Sequence, residues 1–494
     1  MEHYRTVFTD MRQLTLLLKT LVLASGVTIF CLIIGVSFAF LLARTDVYGR
    51  RIWQWLYLLP LCIPPYLHAV TWICLLKEKG LVNTFLIKWF HLKAPLIDIY
   101  GISGSMVVLT FSYFPFIVLL TLSGFHTMDQ RMEDAARLNY RPFGVMKKVT
   151  LPLISPYIFS GAVFVFIFSL FNYGVPALLR VHTYPVEIFA RFSAFYNEGG
   201  ATAQSFPIAV IALILITFQR YYMGSRSYVT INTESKGASI FYLNRYRAVA
   251  GLFIFVIILF SVVLPLVILS MQAGSFKSYQ VAFSKSSREI ITTVSLSVVA
   301  ATAMICLAYF LSHPIEDRQV KGHTLLDYLT FAPFAFPATA LGIGMIRFWN
   351  RPLTEAIYNS SLIVVLAYIA RFIPFSIRTL NSNLKQISTS VIEAAVLCEK
   401  SWFKRTVKIQ LPLSLKGVAA GWVIAFILCT GELGATLLVI PPGNGSISLK
   451  IYTLMHYGAN KIVAALALIV IGINLLISFT VLSSMRFGWR RQQI

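Results

Sequence analysis

Eleven long apolar stretches restrict the fold of this sequence more than any other feature. An α-helix of about 20 apolar residues crosses a bilayer core of about 30 Å. The stretches are continuous rather than alternating, which argues against a membrane β-barrel. Charged residues make up 12% of the 494 residues, against about 25% in soluble domains. The sequence therefore predicts an all-α polytopic membrane protein. Its spans are expected at 14–43, 53–76, 105–122, 157–179, 206–218, 248–271, 290–311, 328–346, 362–377, 418–440 and 462–482.

One polar segment occurs twice between the apolar stretches. Glu133 and Glu393 lie 260 residues apart, and so do Pro152 and Pro412. A membrane protein that repeats one soluble segment is expected to present it twice to a partner. The candidate residues are Glu133, Ala135, Ala136, Asn139, Leu151 and Pro152 in the first copy, and Glu393, Ala394, Ala395, Glu399, Leu411 and Pro412 in the second.

The number of spans between the two copies predicts their topology. Six spans separate them, so both copies face the same side, and that side carries more Lys and Arg than the other, as cytoplasmic loops do. We predict two parallel, pseudo-symmetric halves, 1–235 with its polar segment at 126–152 and 236–494 with its polar segment at 386–412. Eleven spans place the N-terminus outside. The alternative is a twelfth, leading span that a late start codon has left out.

The positive charge and the motif content restrict the function. The net charge of +23 is explained by orientation in the membrane, and we expect no nucleic-acid partner. No G-x-x-x-x-G-K-[ST] phosphate loop occurs in the sequence, so energy from ATP would come from a separate subunit. Neither H-E-x-x-H nor G-x-S-x-G occurs, and no His or Cys has partners at ligand spacing. We therefore expect no metal site, no cofactor and no catalytic residue on this chain.

The repeated segment resembles the E-A-A loop of permease subunits in binding-protein-dependent ABC importers. Both copies match the spacing of that motif, but Asn139 and Glu399 replace its glycine. Since Asn adopts a left-handed conformation more readily than Glu, the first copy is expected to keep the usual loop geometry more closely. The stretches 42–46, 59–66 and 431–443 resemble fused permeases of the ferric iron and thiamine type.

The resemblance implies a type I ABC importer permease in a bacterial inner membrane. Each loop would form a coupling helix that docks on one of two copies of a cytoplasmic ATPase, which carries ATP-Mg. An external binding protein would deliver a small solute, which alternating access moves inward. Ferric iron is the substrate we expect, with thiamine or a phosphonate as alternatives.

Two ionisable residues fall inside predicted spans, Arg371 and Glu432. Such residues are costly in a membrane and often functional, so they are candidates for the translocation path. The alternative is a structural Arg–Glu pair. A secondary transporter driven by an ion gradient is the rival function. It would require several buried carboxylates, and Glu432 is nearly the only candidate.

Overall fold

The computed structural model describes residues 7, 9–91, 94–95, 97–128, 130–224, 241–316, 322–384, 387, 389–399 and 401–490. The predicted division after residue 235 lies outside the described residues and stays a prediction. The chain forms two compact units, Met1–Met271 and Gln272–Ile494. Within the described residues, β-structure is limited to one bridge between Thr45 and Phe241. The predicted all-α fold is confirmed.

The first unit consists of thirteen α-helices in its described part, joined in places by short 3-10 and π turns. The helices are α1 (Met11–Arg44), α2 (Arg50–Leu56), α3 (Pro65–Leu76), α4 (Leu81–Phe90), α5 (Ile102–Thr127), α6 (Gln130–Arg137), α7 (Pro142–Val145), α8 (Leu151–Leu170), α9 (Gly174–Leu178), α10 (Tyr184–Ser193), α11 (Glu198–Gly224), α12 (Arg247–Ile258) and α13 (Leu264–Ala273). The 3-10 turns are Leu59–Cys62 and Asn244–Tyr246, and the π turns are Met146–Thr150 and Leu259–Val263.

The second unit repeats this order over the residues that are described. Its helices are α14 (Phe276–Glu316), α15 (His323–Phe331), α16 (Ala338–Trp349), α17 (Glu355–Tyr358), α18 (Leu362–Leu384), α19 (Thr389–Cys398), α20 (Trp402–Arg405), α21 (Leu411–Thr430), α22 (Thr436–Val439), α23 (Ile447–His456) and α24 (Asn460–Arg490). A 3-10 turn lies at Ala332–Ala335 and a π turn at Thr406–Gln410.

The membrane-length helices agree with the predicted spans. The described residues contain 9 helices long and apolar enough to cross a membrane, or up to 11 if each of two bent helix pairs is one span. Each predicted span overlaps one of these eleven. The overlap identifies a multi-pass membrane protein.

Two of the spans are broken where the sequence places prolines. The segments bend by 91° between α2 and α3 and by 107° between α15 and α16. Pro64 lies at the first break and Pro337 at the second, 273 residues later. Proline cannot donate a backbone hydrogen bond and crowds the preceding turn, so the helix stops at the same point in both units.

A pair of threonines shows the same offset of 273 residues between α1 and α14. The backbone N–H of Tyr184, at the start of α10, donates to Thr20 Oγ1 at 2.9 Å. The N–H of Ile447, at the start of α23, donates to Thr293 Oγ1, also at 2.9 Å. Thr20 and Thr293 are 273 positions apart, which fixes the equivalence of these two long helices.

Each unit has a close contact between two helices, and the glycine that permits it lies on a different helix in each unit. On α5, a Cβ added to Gly124 would lie 3.1 Å from Tyr157 of α8. In the second unit the glycine is on the other helix, where a Cβ added to Gly417 of α21 would lie 2.4 Å from Asn383 of α18. Small residues permit such approach in membranes, and each unit therefore keeps one small and one larger partner.

Helices α12 and α13 belong to the first compact unit, although the sequence analysis assigned them to the second half. Phe260, in the π turn between them, stacks on Trp72 of α3 at 6.0 Å and on Phe111 of α5 at 5.9 Å between ring centroids. This packing explains why the compact units divide after Met271.

Candidate functional site

The first repeated loop folds as a short helix, a turn and a π turn. Helix α6 carries Glu133, the π turn ends at Thr150, and α8 begins at Leu151 with Pro152 in its first turn. Pro152 has no N–H and crowds the carbonyl four residues earlier. The wider π turn loosens the hydrogen-bond ladder where the proline cannot continue it.

The second loop has the same order of elements over its described residues. Helix α19 carries Glu393, a π turn covers Thr406–Gln410, and α21 begins at Leu411 with Pro412 in its first turn. The two π turns lie 260 residues apart, so the sequence repeat is also a repeat of local structure.

The residues at the motif's glycine position do not take the left-handed conformation. The described non-glycine residues with positive φ do not include Asn139 or Glu399. The Asn139 N–H donates to Ala136 O at 3.1 Å, and the Glu399 N–H donates to Ala395 O at 3.0 Å. Both turns therefore close with helical hydrogen bonds, and no glycine is required.

Glu133 is buried inside the first unit. Its Oε2 lies 3.3 Å from Arg44 Nη1, with 3% of the Arg44 side chain and 1% of the Glu133 side chain exposed. Its Oε1 accepts a hydrogen bond from Thr150 Oγ1 at 2.7 Å. Helix α6 is thereby fixed to the end of α1 and to the π turn before α8. Sequence reasoning missed both partners, and the available signal was an arginine closing an apolar span.

A second contact with α6 comes from Phe241, which precedes α12 in the chain. The Phe241 N–H donates to Arg44 O at 2.7 Å. The guanidinium of Arg137, the last residue of α6, lies 5.6 Å from the centre of the Phe241 ring. Arg44 thus contacts Glu133 of α6 through its side chain and Phe241 through its backbone carbonyl.

Glu393 differs from Glu133 in its surroundings. The Glu393 side chain is exposed, and no hydrogen bond or ion pair joins it to another described residue. Position 410, equivalent to Thr150, is glutamine, whose Oε1 accepts from Thr406 at 3.4 Å. The offset of 273 relates Arg44 to Asp317, which lies outside the described residues. The second glutamate thus lacks the hydroxyl found beside the first.

The small residues next to the glutamates also differ in exposure. In the first copy Ala135 is exposed and Ala136 is buried. In the second copy Ala394 is exposed and Ala395 is buried. Since Ala395 is equivalent to Ala135 by the 260-residue repeat, helices α6 and α19 turn different faces towards their own units.

Arg371 and Glu432 form a buried ion pair. Arg371 Nε lies 3.0 Å from Glu432 Oε2, and 7% and 8% of the two side chains are exposed. The other carboxylate oxygen of Glu432 accepts from the N–H of Ala435 at 2.9 Å. Glu432 therefore connects α18 to the break between α21 and α22.

The first unit has the same backbone break without the ion pair. Asn172 Oδ1 accepts from the N–H of Val175 at 2.9 Å, and these residues lie 260 positions before Glu432 and Ala435. Asn172 also donates to the Tyr113 hydroxyl at 2.9 Å. Both units thus have the hydrogen bond from a backbone N–H to a side-chain oxygen three residues earlier. The Arg371–Glu432 ion pair occurs at this break in the second unit.

No group of three or more His, Cys, Asp or Glu side chains that could hold a metal ion occurs in the described part of the chain. His68 is buried and His182 is exposed, while the side chain of His456 lies outside the described residues. The chemistry available at the coupling loops and at the Arg371–Glu432 pair is therefore ionic and hydrogen-bonding.

A family model and several individual proteins that resemble this chain indicate the same family. The family described as "Binding-protein-dependent transport system inner membrane component" matches residues 32–223, which include the first coupling loop. The Fe(3+)-transport system permease protein FbpB 2 of Haemophilus influenzae is 24% identical over 458 residues, 89% of this chain and 84% of that protein.

Shorter relatives match part of the chain. The molybdenum transport system permease protein ModB of Mycobacterium bovis is 30% identical over 211 residues, covering 41% of this chain and 76% of ModB. The putative 2-aminoethylphosphonate transport system permease protein PhnV of Salmonella typhimurium is 24% identical over 190 residues, 38% of this chain and 71% of PhnV. With its membrane spans and its repeated polar loop, this chain belongs to the family of binding-protein-dependent transport inner membrane components, the permease subunits of ABC importers.

Proposed function

We propose that this permease imports its solute by ATP-driven alternating access, with one copy of a cytoplasmic ATPase bound at each coupling loop. The observation that carries the proposal is the recurrence of helix, π turn and Leu-Pro at the same offset of 260 residues. The ATPase copies bind ATP-Mg and hydrolyse it, and an external binding protein delivers the solute. This chain contributes the pathway and the two docking helices.

Ferric iron is the proposed substrate. The iron permease of Haemophilus influenzae aligns with 89% of this chain, whereas the phosphonate and molybdenum permeases align with 38% and 41%. Thiamine and phosphonates are the alternatives to be tested beside iron. The absence of a metal-holding cluster in the described residues favours iron that passes transiently or as a chelate.

The two coupling glutamates have different proposed roles. Glu393 is exposed, so its carboxylate is free to meet a cation of the ATPase. Glu133 is paired with Arg44, so it fixes the orientation of α6 while the exposed Ala135 face meets the ATPase. Arg371 and Glu432 are proposed to line the path beside the break that Glu432 caps.

The test is reconstitution of the permease with its ATPase and binding protein in proteoliposomes. Uptake of radioactive ferric iron should require ATP on the side of the membrane where the ATPase is bound. It should persist when ionophores remove ion gradients. The double variant Glu133→Ala, Glu393→Ala should lose the co-purifying ATPase and uptake. The control is Glu355→Ala, an exposed glutamate outside the loops. Uptake that survives the double variant, or that follows the ion gradient, would overturn the proposal.

A further inference from the structure

A cavity of about 420 Å³ lies at the end of α1, bordered by α2 and α5. Its polar lining comes from Arg44, Arg50, Gln54 and His126, and Trp55 lies among its apolar walls. By the predicted topology this end of α1 faces the cytoplasm. The cavity therefore has two guanidinium groups at the predicted cytoplasmic end of a membrane span.

The two arginines leave hydrogen-bonding capacity unused inside the cavity wall. Arg44 directs Nη1 to Glu133, and its buried Nε has no hydrogen-bond partner in the described part of the chain. Arg50 Nη2 donates to the carbonyl of Ala43 at 3.2 Å, and its buried Nε likewise has no partner among the described residues. Arg44 is thus paired with a carboxylate, whereas no ion pair joins Arg50 to a described carboxylate.

The positive charge of the two guanidinium groups favours an anionic ligand. A guanidinium that is partly buried and lacks a counter-ion is unfavourable, and its planar N–H groups match the oxygens of a phosphate. Basic pockets between membrane helices on the cytoplasmic side suit anionic headgroups. Trp55 is 56% exposed, as aromatic residues at a membrane interface often are.

We propose that this cavity binds one phosphate group, from an anionic phospholipid headgroup or from a soluble phosphate, between Arg44 and Arg50. The phosphate accepts from the guanidinium groups of Arg44 and Arg50 where they line the cavity, while Arg44 Nη1 keeps its contact with Glu133. The bound anion thereby holds Arg44 in place and, through Glu133, steadies α6. This second consequence rests on the proposed function, because α6 matters for transport as a coupling helix.

The binding test uses the purified full-length permease in a neutral detergent. Native mass spectrometry with added phosphatidylglycerol should retain one lipid per chain, and phosphatidylcholine should not be retained. Arg50→Gln should weaken retention about tenfold, the effect of losing one charge-assisted hydrogen bond. Arg50→Lys should give an intermediate loss. The matched control is Arg51→Gln, an exposed neighbour that does not line the cavity, and its retention should equal that of the wild type.

A second arm separates the two sources of phosphate. Isothermal titration with inorganic phosphate that shows binding lost in Arg50→Gln would support the site and identify a soluble anion as sufficient. Lipid retention without phosphate binding would support the site and identify the headgroup. Equal weakening by Arg50→Gln and Arg51→Gln, or binding of neither probe, would overturn the proposal. Since the ATPase is absent from both arms, failure here is distinct from failure of the proposed function.

Discussion

Replacing Glu133 by glutamine removes a charge from a buried pair, whereas the same change at Glu393 removes one from an exposed position. Both variants alter one carboxylate of a coupling helix and keep nearly the same side-chain size. Any difference between them therefore reports the surroundings of the carboxylate rather than its chemistry.

The expected magnitude follows from the Arg44 contact. Breaking a buried ion pair by removing one partner costs about 3–5 kcal/mol, because the other charge stays buried and unpaired. Glu133→Gln keeps an oxygen that can accept from Thr150, so we expect a loss near the lower end, about 3 kcal/mol in the free energy of unfolding. Glu393→Gln should leave the unfolding free energy unchanged, since the Glu393 side chain is exposed.

The assay is unfolding of the purified permease in mixed micelles with increasing sodium dodecyl sulfate, followed by circular dichroism. A double-mutant cycle with Arg44→Met and Glu133→Leu isolates the pair. Each single change should destabilise, and the double variant should lose less stability than the two single losses added together, because an apolar pair leaves no unpaired charge buried. The coupling energy should be about 2–3 kcal/mol.

Two results would refute this reasoning. Equal unfolding free energies for Glu133→Gln and Glu393→Gln would mean that the Arg44 contact carries no stability. A cycle in which the effects of Arg44→Met and Glu133→Leu simply add would mean that the two side chains do not interact.

Three further predictions concern the second buried ion pair, one close helix contact and one residue with positive φ. Glu432→Asn should destabilise the permease, because it leaves Arg371 without its counter-ion. Adding Arg371→Ser should restore stability. If these residues line the path, uptake should stay low in the stable double variant. Gly417→Ala should cost about 1–3 kcal/mol in unfolding free energy because of the contact with Asn383, and Asn383→Gly should rescue it if the small residue is interchangeable between helices. Tyr196 has φ of 51°, so Tyr196→Val should lower the thermal midpoint while Tyr196→Gly does not; equal midpoints would show that this backbone is not strained.

The sequence was sufficient to predict the spans and the repeated loops. Continuous apolar stretches report burial in lipid directly, and each predicted span overlaps one of the membrane-length helices or bent pairs in the described residues. The glutamate-to-proline spacing likewise identified segments that share a helix and a π turn. These features are local, so they are encoded in neighbouring residues.

Contacts between distant residues were not predictable in the same way. Arg44 meets Glu133 across 89 positions, and neither residue carries a periodic signal that points to the other. The bends at Pro64 and Pro337 had a sequence signal, the shared offset of 273 residues, which the 260-residue repeat of the loops obscured. The sequence indicated Arg371 and Glu432 individually. It left open whether they contact the solute or form a structural pair.

The Arg44–Glu133 contact has a consequence for how such a permease could change over evolutionary time. In a permease made of two identical chains, every substitution appears at both loops, so an internal anchor for one coupling helix would be imposed on the other. A single chain with two halves is free of that constraint. Position 44 is arginine while its counterpart at the 273-residue offset, position 317, is aspartate, a difference that two identical chains could not carry.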